Sequence, residues 1–372
     1  MRLLSKLAAP QMTGLACLVL LAGLAAPLQA DDPPGRRTYE NRLMPLANPG
    51  PLLADHPEFV EPIRETHRFE APVLVDDKDA DLHVRAWRFC YNARGIIEVP
   101  NRLQARATAV IVVHPWGIDD GQGWTTPEPA GVAFACTPGR NRIALDHMKR
   151  VVNPFLKALR GKVGLVAYSL PGAEDPIRKK LYRSMHGRPT EAERRQGANE
   201  LTAKLKGFTY RGQPLPQKLS VSSDRPAVDY FRQLPGLDPG PKYNNAGFWE
   251  LPIPVARPLE VDPADVVIYD SEGYAALKAF LRKQGIRHVL LAGYHADMCV
   301  CRTTAGYKIL AQDFDTFLVG DATQATFPAS ETPRFATTAA VALASLDLFI
   351  TQVSWVRYEG LGRRGDGASA NR

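Results

Sequence analysis

The chain is short of cysteine, of bilayer-length apolar runs and of concentrated charge, and each shortage removes a class of protein. It has five cysteines in 372 residues. Cys90, Cys136, Cys299 and Cys301 lie beyond the N-terminal apolar segment, too few for a disulfide scaffold. Cys90 with Cys136 is the one pair considered for a bridge, in an oxidising compartment. Cys299 and Cys301 are too close for a usual structural bridge, and no second Cys/His pair stands at zinc spacing beside them. The apolar run Thr13 to Ala26 falls short of the roughly 20 residues that span a bilayer. The formal net charge is +7, but the basic residues (Arg178, Lys179, Lys180, Arg183, Arg194, Arg195) are scattered and lack interleaved aromatics. They read as a solvated face rather than a nucleic-acid groove.

What is present is enough apolar material, 45% of the chain, to bury a sizeable core in one large domain or two modest ones. Proline (31) and glycine (29) are plentiful, which predicts many turns and long connections. Arg2 and Lys6, the apolar run and Leu28-Gln29-Ala30 before Asp31 have the form of a signal peptide over residues 1–30. Its removal predicts an exported protein, periplasmic or secreted, with no membrane association and a net charge of +5 once Arg2 and Lys6 are gone. An uncleaved anchor is the alternative.

Residues 31–106 read as an N-terminal extension. Its first part, to about Arg64, is Pro-rich, and Leu82 to Val99, broken at Asn92-Ala93-Arg94-Gly95, predicts a β-hairpin. From Ala107 the pattern becomes α/β. Ala109 to Val113 is a continuous apolar run suited to a strand buried on both faces. Ile143 to Leu159 carries Met148, Val151, Val152, Phe155, Leu156 and Leu159 at helical spacing, with a kink or break expected at Pro154. Val163 to Tyr168 is the next strand, completing a βαβ unit and implying a parallel sheet. Residues 173–260 interrupt the alternation as a polar, basic, Pro-rich insertion, with one helix opened by Thr190 and Glu193 at capping-box spacing.

Strands at Val266 to Tyr269, His288 to Leu291 and Thr316 to Val319 follow. Helices are expected from Tyr274, from Cys299 to Ala311, and from Thr332 to about Ile350. Val353 to Val356 is expected to close the sheet, and residues 359–372 form a disordered tail. The fold class is therefore a three-layer α/β/α domain over 107–358, with an open, mostly parallel six-stranded sheet. In such sheets chemistry gathers beyond the strands' C-terminal ends.

Three strand ends carry candidates. His114 follows Val113, Asp270 follows Tyr269, and Cys299 follows the strand through Gly293 at the start of the next helix. There the helix dipole and free N–H groups favour a thiolate and can hold a developing oxyanion. The segment from His288 to Val300 (HVLLAGYHADMCV) resembles the nucleophile segment of the isochorismatase-like cysteine hydrolases, a superfamily with nicotinamidases, N-carbamoyl amidohydrolases and isochorismatases. Gly293, Ala296, Cys299 and Val300 fit its pattern. Thr303-Thr304-Ala305 resembles the Thr-Ala that follows, and Val319-Gly320-Asp321-Ala322 resembles a downstream strand ending in Asp-Ala. The resemblance spans roughly Ala107 to Val356 apart from the insertion. It implies a cysteine nucleophile acting on a small molecule, with no cofactor.

Two positions depart from that family. His114 stands where the resemblance places a catalytic Asp, and Asp270 where it places a catalytic Lys. The residue types are those of a Cys-His-Asp triad, in which His114 takes the thiol proton and Asp270 supports the imidazolium. The alternative is an inactive, small-molecule-binding member. Vinyl-ether hydrolysis, as in isochorismatases, fits poorly, because the Asp of that branch is lost while the Cys is kept. Met298, Ala296, His295, Asp297, Trp116 and Asp119 are expected to line the pocket or an oxyanion site, the last two in a Trp- and Gly-rich loop after His114. A metal site from His295, Asp297 and His114 competes with plain solvation of that loop. The expectation is no metal. A homo-oligomer is left open.

Overall fold

The computed structural model describes residues 35–116, 138–208, 211, 216–233, 250–296, 298–324 and 352–358. The expected signal peptide, Cys136, the loop with Asp119 and Trp124, Asp297, the helix at Thr332 and the C-terminal tail lie outside them. The elements below all fall in one compact unit, Asn41–Arg372.

The N-terminal part supplies β1 (Met44–Pro45), β2 (Arg68–Glu70), β3 (Leu82–Cys90) and β4 (Gly95–Leu103). β3 and β4 form the expected hairpin, in register from Leu82 opposite Leu103 to Cys90 opposite Gly95. The α/β part begins with β5 (Thr108–Val113), every residue buried, as its unbroken apolar run predicts. Helices α1 (Pro138–His147) and α2 (Asn153–Leu159) flank a π-helical turn, Met148–Val152. The break expected at Pro154 thus lies one turn upstream. Proline has no N–H to donate and its ring crowds the preceding turn, and a π turn accommodates both without ending the helix.

β6 (Leu165–Leu170), α3 (Pro176–Leu181), β7 (Arg183–Ser184), α4 (Glu191–Lys206) and α5 (Pro226–Gln233) follow. Thr190 caps α4 with a reciprocal bond from Glu193, as the spacing predicts. Next come β8 (Val266–Tyr269), α6 (Tyr274–Lys283) and β9 (His288–Tyr294). The chain ends in α7 (Cys299–Arg302), α8 (Tyr307–Leu310), β10 (Asp315–Gln324) and β11 (Gln352–Tyr358).

All eleven strands form one sheet in the order β1-β2-β4-β3-β11-β10-β9-β5-β6-β8-β7. The six strands β5, β6, β8, β9, β10 and β11 run parallel, with the two-residue β7 parallel at the edge. This is the expected parallel α/β sheet, with one correction. The last strand does not close it, because β3 pairs antiparallel with β11 and carries the hairpin on as part of the same sheet. Apolar clusters cover both faces, one built around Val110, Val112, Leu156 and Tyr269, the other around Ile111, Ile268, Leu281 and Leu291.

A second correction concerns the segment after Cys299. The single helix expected to Ala311 is two one-turn pieces, α7 and α8. Thr303 and Thr304 turn their hydroxyls onto the backbone carbonyls of Cys299 and Asp270. Gly306 then closes a turn in which a Cβ would lie 2.7 Å from the Arg302 and Thr303 nitrogens. Short β-branched side chains that bond to nearby carbonyls favour such breaks over helix continuation. A four-residue α7 offers little of the helix dipole expected at Cys299.

Candidate active site

The chain runs outward from β5 through β6 to β8, then returns to place β9 on the other side of β5. The crevice between β5 and β9 is the point where strand order reverses, the usual ligand position in open α/β sheets. Gly293 permits its geometry. Its φ is +115°, and a Cβ there would lie 2.2 Å from the Val113 carbonyl oxygen. Only glycine lets β9 lie this close to β5 where both strands deliver their site residues.

His114 leaves β5 with φ +48°, a left-handed conformation that is uncommon for a residue with a side chain. Two backbone bonds hold it. Its N–H donates to the Ser169 carbonyl at 2.9 Å, and its own carbonyl accepts from the Trp116 N–H at 2.9 Å. The imidazole is 8% exposed, and its Nε2 lies 2.8 Å from Asp270 Oδ2. Cys299 lies close enough to act on its protonation. Burial alone would push the imidazole down, but the bond to Asp270 and the nearby Cys299, with the charges of both, raise it to about 9. His114, Asp270 and Cys299 are thus brought together, with the histidine in the middle. Asp270 stands on the turn after β8, and its Oδ1 is 3.4 Å from the Ser169 hydroxyl. Cys299 is a partly buried free thiol, as is Cys90, and the Cys301 thiol donates to the Ala296 carbonyl at 2.7 Å.

The other expected lining residues are placed as follows. The Tyr294–His295 peptide bond is cis. His295 is nearly buried, and its carbonyl accepts from the Met298 and Val300 N–H groups, so it shapes the turn before Cys299. Ala296 is buried and its N–H donates to the Gln324 carbonyl. Met298 precedes α7 as its N-cap residue, with φ −141° and ψ −92°. Trp116 makes an antiparallel bridge with Val255 and packs partly against the core. Among the described residues no group of three or more His, Cys, Asp or Glu is arranged to hold a metal.

Three further residues near the site are not singled out by the sequence. Ser169 contacts both His114 and Asp270, and the strand-end rule that flags His114 would also have flagged it at the end of β6. Thr304 donates to the Asp270 carbonyl at 2.6 Å, a contact with no local sequence signal. His147, fully buried on α1, joins the ends of β9 and β10. Its Nδ1 lies 2.6 Å from the Tyr294 hydroxyl and its Nε2 2.7 Å from the Asp321 carbonyl. Because a carbonyl only accepts, Nε2 carries a proton.

Residues 254–345 match the family model described as the Isochorismatase domain. No curated protein matches the chain. Among solved structures, an isochorismatase family protein from Desulfovibrio vulgaris is 13% identical, covering 66% of this chain and 93% of its own, with a TM-score of 0.31. A cysteine hydrolase from Pseudomonas syringae is 15% identical, covering 68% and 91%, with a TM-score of 0.31. A pyrazinamidase from Pyrococcus horikoshii, solved with zinc, is 16% identical, covering 67% and 99%, with a TM-score of 0.31. The matched residues, which contain β8, Asp270, β9 and Cys299, resemble the Isochorismatase domain.

Proposed function

We propose that this chain is an exported hydrolase that cleaves an amide or carbamoyl C–N bond of a small molecule through a covalent intermediate on Cys299. The observation that carries the proposal is the position of His114, bonded to Asp270 at 2.8 Å and close enough to Cys299 for the two to influence each other. An imidazole raised to about 9 holds a proton at neutral pH, and this is the proton proposed to reach the departing nitrogen. Asp270 balances that charge and fixes the ring.

The sulfur adds to the substrate carbonyl carbon. As the C–N bond breaks, His114 delivers its proton to the departing nitrogen and the acyl group remains on sulfur. Water then attacks the thioester and gives a proton to His114. The C–S bond breaks, the acid leaves, and His114 again holds the proton beside the released sulfur. His295, Ala296, Met298 and Trp116 are proposed to border the crevice. Asp297 and Asp119 are proposed to complete it.

Iodoacetamide labelling of the intact protein, read by peptide mass spectrometry, tests the proposal. Cys299 is expected to label faster than Cys301, and His114→Ala to slow Cys299 by about tenfold or more. Equal, slow labelling of both thiols would overturn the catalytic proposal and favour an inactive small-molecule binder.

A further inference from the structure

Cys299 and Asp270 come from strands that are not neighbours. Between β9 and β8 stand β5 and β6, so three strand spacings, roughly 14 Å, separate the two backbones within the sheet. His114 on β5 must reach both. The turns beyond the strands are held locally. Asp270 begins a 3-10 turn closed by the Gly273 N–H on its own carbonyl at 3.3 Å. Cys299 begins a single helical turn closed by the Thr303 N–H at 3.1 Å. Neither bond keeps one turn at a set distance from the other.

Thr303 and Thr304 divide that task. The Thr303 hydroxyl folds back on the carbonyl of Cys299 at 2.9 Å. The next hydroxyl, on Thr304, crosses to the carbonyl of Asp270 at 2.6 Å. This is the shorter of the two bonds, and it joins the segment of the thiol to the residue of the acid. From the other side the Ser169 hydroxyl reaches Asp270 Oδ1 at a long 3.4 Å, too far to fix the carboxylate alone. The turn closes at Gly306, which has no room for a Cβ beside the Arg302 and Thr303 nitrogens.

We propose that Thr304 is a positioning residue for the Cys299 chemistry. Its hydroxyl locks the turn that presents Cys299 to the turn that presents Asp270, and so keeps His114 within reach of both. The role rests on the proposed cysteine hydrolase function. Thr304 touches no reacting atom. Losing its bond lets the Asp270 turn drift, and the carboxylate then supports the His114 imidazolium less well.

The test is the pH dependence of Cys299 labelling by iodoacetamide in the full chain, with thermal unfolding measured on the same samples. Thr304→Val removes the hydroxyl at nearly constant volume. Thr304→Ala removes it without new bulk, in case valine does not pack. Thr304→Ser keeps it. Both hydroxyl-free variants are expected to raise the labelling midpoint by about half a pH unit, which makes labelling below it roughly threefold slower, while Thr304→Ser stays near the wild-type midpoint. Variants that melt earlier but keep the wild-type midpoint would overturn the proposal and leave Thr304 a structural tie. Failure of the underlying function is seen separately, in wild-type protein whose Cys299 labels no faster than Cys301.

Discussion

At the scale of single residues, burial and bonding compete, and the outcome differs between His114 and Asp321. In His114 the bond to Asp270 and the nearby Cys299 outweigh burial and the base is raised to about 9. In Asp321, on β10, burial wins. It pushes the acid up to about 7, helped by the charge of Asp55 and opposed by the N–H groups of Asp321 and Ala322. An unfolded aspartate titrates near 3.9, so the folded chain keeps this proton through a range in which the unfolded chain has lost it. The resulting stability is present below about pH 4 and lost as pH rises through about 7. Asp321→Asn, which stays neutral, is expected to be more stable than wild type at pH 8, by on the order of 1–2 kcal/mol, and equal to it near pH 4. Denaturant unfolding at the two pH values measures this, and a gain of the same size at both would refute the assignment.

At the scale of elements, what the sequence made legible was local. Ala109 to Val113, Val266 to Tyr269 and His288 to Leu291 read directly as strands, because a strand buried on both faces needs a contiguous apolar run. The cap at Thr190 was legible for the same reason, as a pattern complete within four residues. His114, Asp270 and Cys299 were found because strand ends could be counted along the chain. The break after Cys299 was hidden, since the partner of the Thr304 hydroxyl is the carbonyl of Asp270, thirty-four positions away. The docking side of the β3–β4 hairpin was hidden too, because its alternating pattern fits a strand paired on either edge. Gly293 is where element packing is least forgiving. Its φ is +115°, and a Cβ at this position would meet the Val113 carbonyl oxygen at 2.2 Å, so a methyl group forces β9 away from β5. Gly293→Ala is expected to cost about 3 kcal/mol or more, read as a lowered melting temperature, and a wild-type melt would show that the strands can separate freely.

At the scale of the whole molecule, the N-terminal part is built into the α/β sheet. β3 covers the edge that β11 would otherwise expose, with Leu82 opposite Tyr358 and Trp87 opposite Gln352. An uncovered strand edge offers unpaired N–H and carbonyl groups to other chains. A second tie lies at the other ends of the strands. His288, at the start of β9, places Nε2 3.0 Å from Asp77 and Nδ1 3.1 Å from Asp315, and Arg287 also reaches Asp77 at 2.8 Å. Burial pushes Asp77 up, but the Gln104 N–H, the charge of His288 and the bonds from Arg287 and His288 outweigh it and hold the carboxyl below its usual range. Removing Asp77 would leave His288, which is 2% exposed, without one of its two carboxylates, and unpaired buried polar groups are costly. A chain beginning at Gln104 loses the strand that covers β11 and this clamp together. It is expected to aggregate on expression, eluting in the void volume on size exclusion, whereas Asp77→Asn in the full chain stays soluble but melts at a lower temperature. A truncated chain that elutes as one sharp species and melts cooperatively at the full-length temperature would mean that the α/β part folds independently and that the extension merely rests on its edge.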